Sequence, residues 1–443
     1  MSSGAIAFTS TPLEDDARAI NARDHSIAPG DISIGVIIGR TSEFFDFFVY
    51  AIASVIVFPS LVFPYVDALT GTLYSFAIFA VAFITRPIGS LIFMAIDRRY
   101  GRGTKLTGAL FLLGSSTVAI AFLPGYETIG HYAAVVLIIL RAAQGIALGG
   151  TWDGLASLLS LNAPQHQRGW YAMVPQLGAP LALIVASGLF AFSILNMTQA
   201  DFLDWGWRYP FFVAFAINVV ALFARLRIVV THEFERLFEQ RDLVPSPVLP
   251  TLQKEGRNIV IGAFAPLASF ALFHMVTVFP LCWVALYTDQ PLDRFLIIEM
   301  IGASVGLLAI VVSGFIADQI GRRSLLGWSA LGIAIFALMA PLLLNGGELG
   351  EVAFMILGFM LLGLSFGQSS GVVASNFATE ARYTSSALTS DLAWLVGAGF
   401  APLVALLLSV KFGLAASGIY LLSGAVATMV ALYVNKELAG KDR

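Results

Sequence analysis

Residues 31–58 read DISIGVIIGRTSEFFDFFVYAIASVIVF, and the fold turns on how that stretch is read. It is long and apolar enough to cross a bilayer, which takes about 20 residues of helix. Yet Arg40, Glu43 and Asp46 lie inside it at spacings of three. On an ideal helix they occupy an arc of roughly 120°, and Tyr50 falls within that arc. Charges in hydrocarbon are costly; where they occur they face a bundle interior and mark a path for protons, ions or substrate. The stretch therefore predicts a polytopic membrane transporter with acid/base groups near the middle of the membrane.

The rest of the chain agrees. Of its 443 residues only 12% are charged, and its mean hydropathy is +0.84. An average soluble domain is about 25% charged, and a soluble protein could not hide this much apolar surface. Apolar runs predict twelve spans: 31–58, 68–96, 104–124, 132–160, 169–194, 208–228, 258–287, 295–318, 324–345, 351–376, 385–409 and 413–434. A polar linker at 229–257, with Pro245, Pro247 and Pro250, divides them six and six. The expected organisation is all-α: bundles at 31–228 and 258–434, with tails at 1–30 and 435–443. The N-terminal tail has no apolar h-region, so a cytoplasmic tail is expected rather than a signal peptide.

Lys and Arg set the orientation. Nineteen of the 25 fall in the tails, or in or beside the connections after even-numbered spans. Only Arg208, Arg294 and Lys411 sit in or beside the odd-numbered connections, while Arg40, Arg86 and Arg141 are inside spans. The positive-inside rule then puts both termini in the cytoplasm.

Several functions are disfavoured. A net charge of -3 gives no reason to expect a nucleic-acid partner. Cys282 is the only cysteine, so an intrachain disulfide is impossible. There is no HExxH, CxxC or GxxxxGK[ST] string and no hydrolase triad suggests itself, so no cofactor, metal, ATP-driven pump or enzyme is expected.

An internal echo appears at an offset of 220 residues: Arg98-Arg99-Tyr100-Gly101-Arg102 follows span 2, and Asp318-Gln319-Ile320-Gly321-Arg322-Arg323 follows span 8. Two related six-helix units are the architecture of one class of secondary transporters.

Further strings carry a resemblance. GFIADQIGRR at 314–323 is similar to the loop signature GxxxDxxGRR of the major facilitator superfamily, and RAAQGIALGG at 141–150 to the RxxQGxxxGG of its fourth span. EFFDFFVY at 43–50 resembles the EWYDFFLYG of the metabolite:H⁺ symporter family. So do Arg86-Pro87-Ile88-Gly89, PQLG at 175–178, WGWRYPF at 205–211 and Arg382-Tyr383-Thr384. That resemblance implies a proton-coupled importer of organic acids, proline or betaine in a bacterial inner membrane. Two departures stand out: Arg98 where the loop signature has Asp, with Asp97 adjacent, and Thr151 where the family often has Glu.

The candidate roles follow. Asp46, Glu43 and Asp391 are expected to carry the proton; Arg86, Arg141, Gln144, Arg208 and Tyr50 to hold substrate. Asp97, Arg98, Arg102, Asp318, Gly321, Arg322 and Arg323 form the gating loops. Glu299 lies about one turn inside span 8 and is expected to snorkel. The expected partners are protons, a small polar metabolite and lipid, with the chain a monomer. Export of drugs or metabolites, or a non-transporting receptor on the same scaffold, are the alternatives.

Overall fold

Two glycines 220 residues apart organise the chain. Gly101 and Gly321 both have φ 85°, and each closes one long helix and opens the next. That backbone suits a residue without Cβ. The computed structural model describes residues 29–151, 159, 163–229, 244–369, 377 and 379–435.

Among these, the long helices are α1 (Pro29–Ile56), α2 (Ala68–Tyr100), α3 (Arg102–Ala121), α4 (Tyr132–Gly150), α5 (Arg168–Asn196) and α6 (Tyr209–Val229). The second set is α7 (Leu267–Tyr287), α8 (Leu292–Ile320), α9 (Arg322–Leu344), α10 (Gly347–Phe366), α11 (Arg382–Phe412) and α12 (Ala415–Val434). Eleven stretches are long and apolar enough to cross a membrane; α1 is of similar length but carries the three charges noted above. The described residues contain no strand. The architecture is all-α, two six-helix bundles. Trp152, Asp153, the tail before 29 and linker residues 230–243 lie outside the described residues.

The side bearing Gly101 and Gly321 is called the turn face below. At the opposite end α2 starts with a capped turn: Asp67 accepts from Thr70 N at 3.1 Å and Thr70 Oγ1 at 2.7 Å. The Thr70 hydroxyl and amide hold this exposed carboxyl below its usual range.

Close packing of α2 on α4 places the first site residues. A Cβ added to Gly145 would overlap the Ala82 carbonyl, and one added to Gly149 the Arg86 carbonyl, so only glycine lets the backbones approach this closely. Thr85 Oγ1 donates to Ala142 O at 3.1 Å, and Ser90 Oγ lies 3.2 Å from Gly149 O, so α2 touches α4 on either side of Arg86. In the second bundle α11 leaves regular geometry in a π turn at Trp394–Gly399, just before Pro402. Such turns interrupt a helix at functional positions more often than elsewhere. Here Trp394 is brought to the wall of a cavity between the bundles.

Candidate functional site

Arg40, Glu43, Arg86 and Arg141 meet around a cavity of about 30 Å³, walled by Phe44, Phe47, Phe83 and Trp394. That is room for about one water. Glu43 is held at both oxygens: Arg40 Nη1 donates to Oε2 at 2.6 Å and Arg225 Nη1 to Oε1 at 2.7 Å. Arg225 Nη2 also donates to Thr151 O at 3.1 Å, tying α6 to the end of α4.

Sequence reasoning missed Arg225. It lies three residues before the expected end of span 6, where it reads as part of the positive linker, whereas the structure buries it at 3% exposure. A signal was present: Arg225 and Asn218 are seven apart, so both sit on one face of α6, the face that packs on α1.

Arg86 and Asp391 join the bundles. Arg86 Nε donates to Asp391 Oδ1 at 2.9 Å, and Ser90 Oγ donates to Oδ2 at 2.5 Å. The Arg86 guanidinium lies 5.8 Å from the Trp394 ring centre. Asp391, expected as a proton carrier, is thus the direct partner of Arg86.

Asp46 sits elsewhere. The helical arc places it with Arg40 and Glu43, but it points between α3 and α6, inside the first bundle, and does not line the cavity. Thr117 Oγ1 and Asn218 Nδ2 donate to its two oxygens. Ser42 Oγ donates to Asn218 Oδ1 at 2.5 Å. A relay leads back to the cavity: Gln144 Nε2 donates to Thr117 Oγ1 at 2.9 Å, and Arg141 Nη1 to Gln144 Oε1 at 3.1 Å. Arg141, expected to hold substrate, lines the cavity and reaches Asp46 only through this chain. Its Nε donates to Phe79 O at 3.3 Å, and its guanidinium lies 4.0 Å from the Tyr50 ring centre. Tyr50 offers Arg141 its ring, while its buried hydroxyl has no hydrogen-bond partner among the described residues. The physical reason for the split is that a wide arc on α1 meets two different neighbours.

Arg208 is not part of the cavity. Its guanidinium caps the end of α3, donating to Ala121 O at 2.5 Å and Leu123 O at 3.3 Å, and to Asp204 O at 3.2 Å. It also stacks near Trp205 and Trp207. In this structure the residue expected to hold substrate stands at a helix end instead, where unfilled carbonyls are strong acceptors.

On the turn face the bundles are tied twice. Asp318 accepts from Gly169 N at 2.6 Å and Trp170 N at 3.1 Å, at the start of α5, where helix amides favour an anion. Gln368 Nε2 donates to Gly169 O at 3.1 Å. The echo copy works differently. Asp97 faces Lys105 Nζ at 3.4 Å and accepts from Tyr383 Oη at 3.3 Å, while Lys105 donates to that hydroxyl at 2.6 Å. Arg102 lies 5.6 Å from the Tyr383 ring centre, and Arg98 Nη1 donates to Ser246 O at 3.3 Å. Arg322 is buried at the start of α9 beside Gly321, and Arg323 donates to Leu432 O at 2.8 Å. Towards the opposite face, aromatic rings of both bundles pack over the cavity: Phe48 stacks on Phe273 at 5.8 Å, and Phe44 meets Phe366 and Trp394. His274 lies within this cluster, stacked on Phe47 at 5.0 Å.

Two helical bundles that enclose charged groups between them, closed by contacts on either side, define a membrane transport protein. The chain belongs to the Major Facilitator Superfamily, whose family model matches residues 44–402. It is 38% identical to the Inner membrane metabolite transport protein YhjE of Escherichia coli K12, covering 97% of this chain and 98% of that one. The Shikimate transporter of the same organism is 30% identical, over 90% of this chain and 93% of its own. Its Proline/betaine transporter is 27% identical, over 91% and 83%. Among solved structures, the partially occluded inward-open form of the xylose transporter XylE from E. coli matches with a TM-score of 0.70. That alignment covers 92% of this chain and 98% of that one at 18% identity, a likeness of fold.

Proposed function

We propose that this protein couples proton entry to uptake of a small polar metabolite, an organic acid or zwitterion, by alternating access. The bundles at 31–228 and 258–434 would rock about the cavity, with the turn face and both termini in the cytoplasm of a bacterial inner membrane. One observation supports this most: Arg86 of one bundle holds Asp391 of the other at the edge of a cavity lined by two more arginines.

The chemistry follows from that pair. A guanidinium presents a forked donor set that suits a carboxylate. Protonation of Asp391 releases Arg86, which is then free to take a substrate carboxylate. The same event removes a tie between the bundles. Arg40 and Arg141 supply further positive charge, and Glu43 sets how much of it is left for substrate. Asp46 holds a second exchangeable proton, reported to the cavity through Thr117, Gln144 and Arg141. A one-water cavity cannot enclose a metabolite, so binding must widen it. The Asp318 and Asp97 ties close the turn face and release it when the bundles move.

Relatives named for shikimate and for proline/betaine support the substrate class. Uptake by purified protein in proteoliposomes tests the reading. An inside-alkaline gradient should drive accumulation of a carboxylate or betaine, and a panel of such compounds with no gradient-dependent accumulation would overturn it.

A further inference from the structure

Glu299 has no place in the account so far. It lies seven residues into α8, about 10 Å along the helix, where an accessible snorkelling side chain is the sequence expectation. The structure buries it completely, at 0% exposure, on the seam where α8 of the second bundle packs against α5 of the first. Ser187 Oγ of α5, itself 0% exposed, lies 3.0 Å from Glu299 Oε2. Glu299 Oε1 has no hydrogen-bond partner among the described residues.

Among the described residues no cation pairs with it. From Gly178 to Asn196, α5 carries no charged residue; only Arg168 and Tyr171 stand near its turn-face end. The second half of α7 offers Cys282 and Tyr287. On α10 the nearby groups are Glu348 and Glu351, both acidic, and Glu348 is occupied by Arg294 at 3.4 Å. Asp293 is at the outer end of α8 itself. Asp318, with Arg322 and Arg323 of α9, lies at the other end, 19 or more residues and about 30 Å away. An ionised carboxylate with one neutral donor and no counter-ion is expensive in such a place. A carboxylic acid is not, and the Ser187 hydroxyl can donate to it or accept from it.

The geometry points to Glu299 as a further proton-binding site of the cycle, neutral while α5 and α8 are in contact and ionised when that seam opens to water. Rocking of the bundles must part this seam on one side, so the group is placed where a change of access changes its hydration. The inference deepens the proton-coupled reading and rests on it for the link to flux, though not for the protonation state itself.

Two measurements on the full-length protein separate them. Infrared spectra across a pH titration should show a protonated-carboxyl band at neutral pH that is missing in Glu299→Gln. Ser187→Ala should shift that band, and serves alone if the Gln variant does not fold. No band difference in either variant means Glu299 is ionised in the closed protein and overturns the proposal. In proteoliposomes Glu299→Gln should carry one proton fewer per substrate than wild type. Unchanged proton stoichiometry would also overturn it. Wild-type protein showing no proton-coupled flux would instead defeat the symport reading, leaving the infrared result to decide whether Glu299 binds a proton.

Discussion

Replacing Asp391 by Asn removes one member of the pair that joins the bundles and leaves the other in place. Arg86 Nε lies 2.9 Å from Asp391, with the two side chains 12% and 5% exposed. Breaking a buried ion pair by deleting one partner costs about 3–5 kcal/mol. The low end applies here. Arg86 keeps the face of Trp394, and Ser90 can still bond the amide. About 3 kcal/mol, lost only from the state in which α2 touches α11, shifts the population by roughly 150-fold toward turn-face opening. The assay is alkylation of single cysteines placed along α11 on the turn-face side of position 391, in a background with Cys282 replaced. Their labelling rates should rise strongly in Asp391→Asn, and Arg86→Gln should do the same. Labelling within about twofold of the parent would mean the pair contributes little to closure; the coupling drawn between Asp391 and Arg86 would then be wrong.

Further outcomes follow from the same geometry. Arg208→Gln should leave the KM for substrate unchanged but lower the melting temperature, by the equivalent of about 1–3 kcal/mol, because three carbonyls lose a charged donor; a raised KM with unchanged melting would restore a substrate role. Tyr383→Phe removes the hydroxyl between Lys105 and Asp97 and should loosen the turn face by about 1 kcal/mol, roughly fivefold in cysteine labelling near Arg98. Asp46→Asn should reduce gradient-driven uptake at least about tenfold while sparing exchange, on the proton role argued above; undiminished accumulation would remove Asp46 from the cycle. Asp67 gives a pH test with a defined sign. Its carboxyl is held below the usual value by Thr70, so it supports the first turn of α2 above pH about 4 and loses that support as pH falls below it. Protection against hydrogen exchange at residues 70–72, taken relative to the intrinsic rate at each pH, should fall on acidification in wild type, and an Asp67→Asn variant should show no such change.

The fold was legible because its evidence is additive. Twelve apolar runs, a proline-rich linker and two Gly-Arg turns each point to the same two-bundle arrangement, and a boundary error of a few residues leaves it intact. The site was harder to read, since side chains on one helix meet different neighbours. Periodicity set Arg40, Glu43 and Asp46 on a common arc, yet 60° of rotation separates a cavity wall from a bundle interior. Partners from other helices were invisible for the same reason: nothing local to Glu43 names Arg225, and nothing local to Arg86 names Asp391. Arg225 was further hidden by its position near a span boundary, where a basic residue reads as a loop charge. Glu299 failed through length: one to two turns of helix is within reach of water for an exposed side chain, but not for one facing the α5 seam. Tyr383 stands in the sequence only as part of the Arg382-Tyr383-Thr384 motif; its hydroxyl takes a place in the turn-face tie that no spacing rule supplies.

The most direct test of the account is the sign of proton movement when substrate is added without an imposed gradient. With purified protein in proteoliposomes and a pH electrode outside, addition of a transported carboxylate or betaine should make the outside more alkaline as protons enter with it, and Asp391→Asn should abolish that signal. Substrate entry with no proton movement, or with acidification outside, would contradict symport.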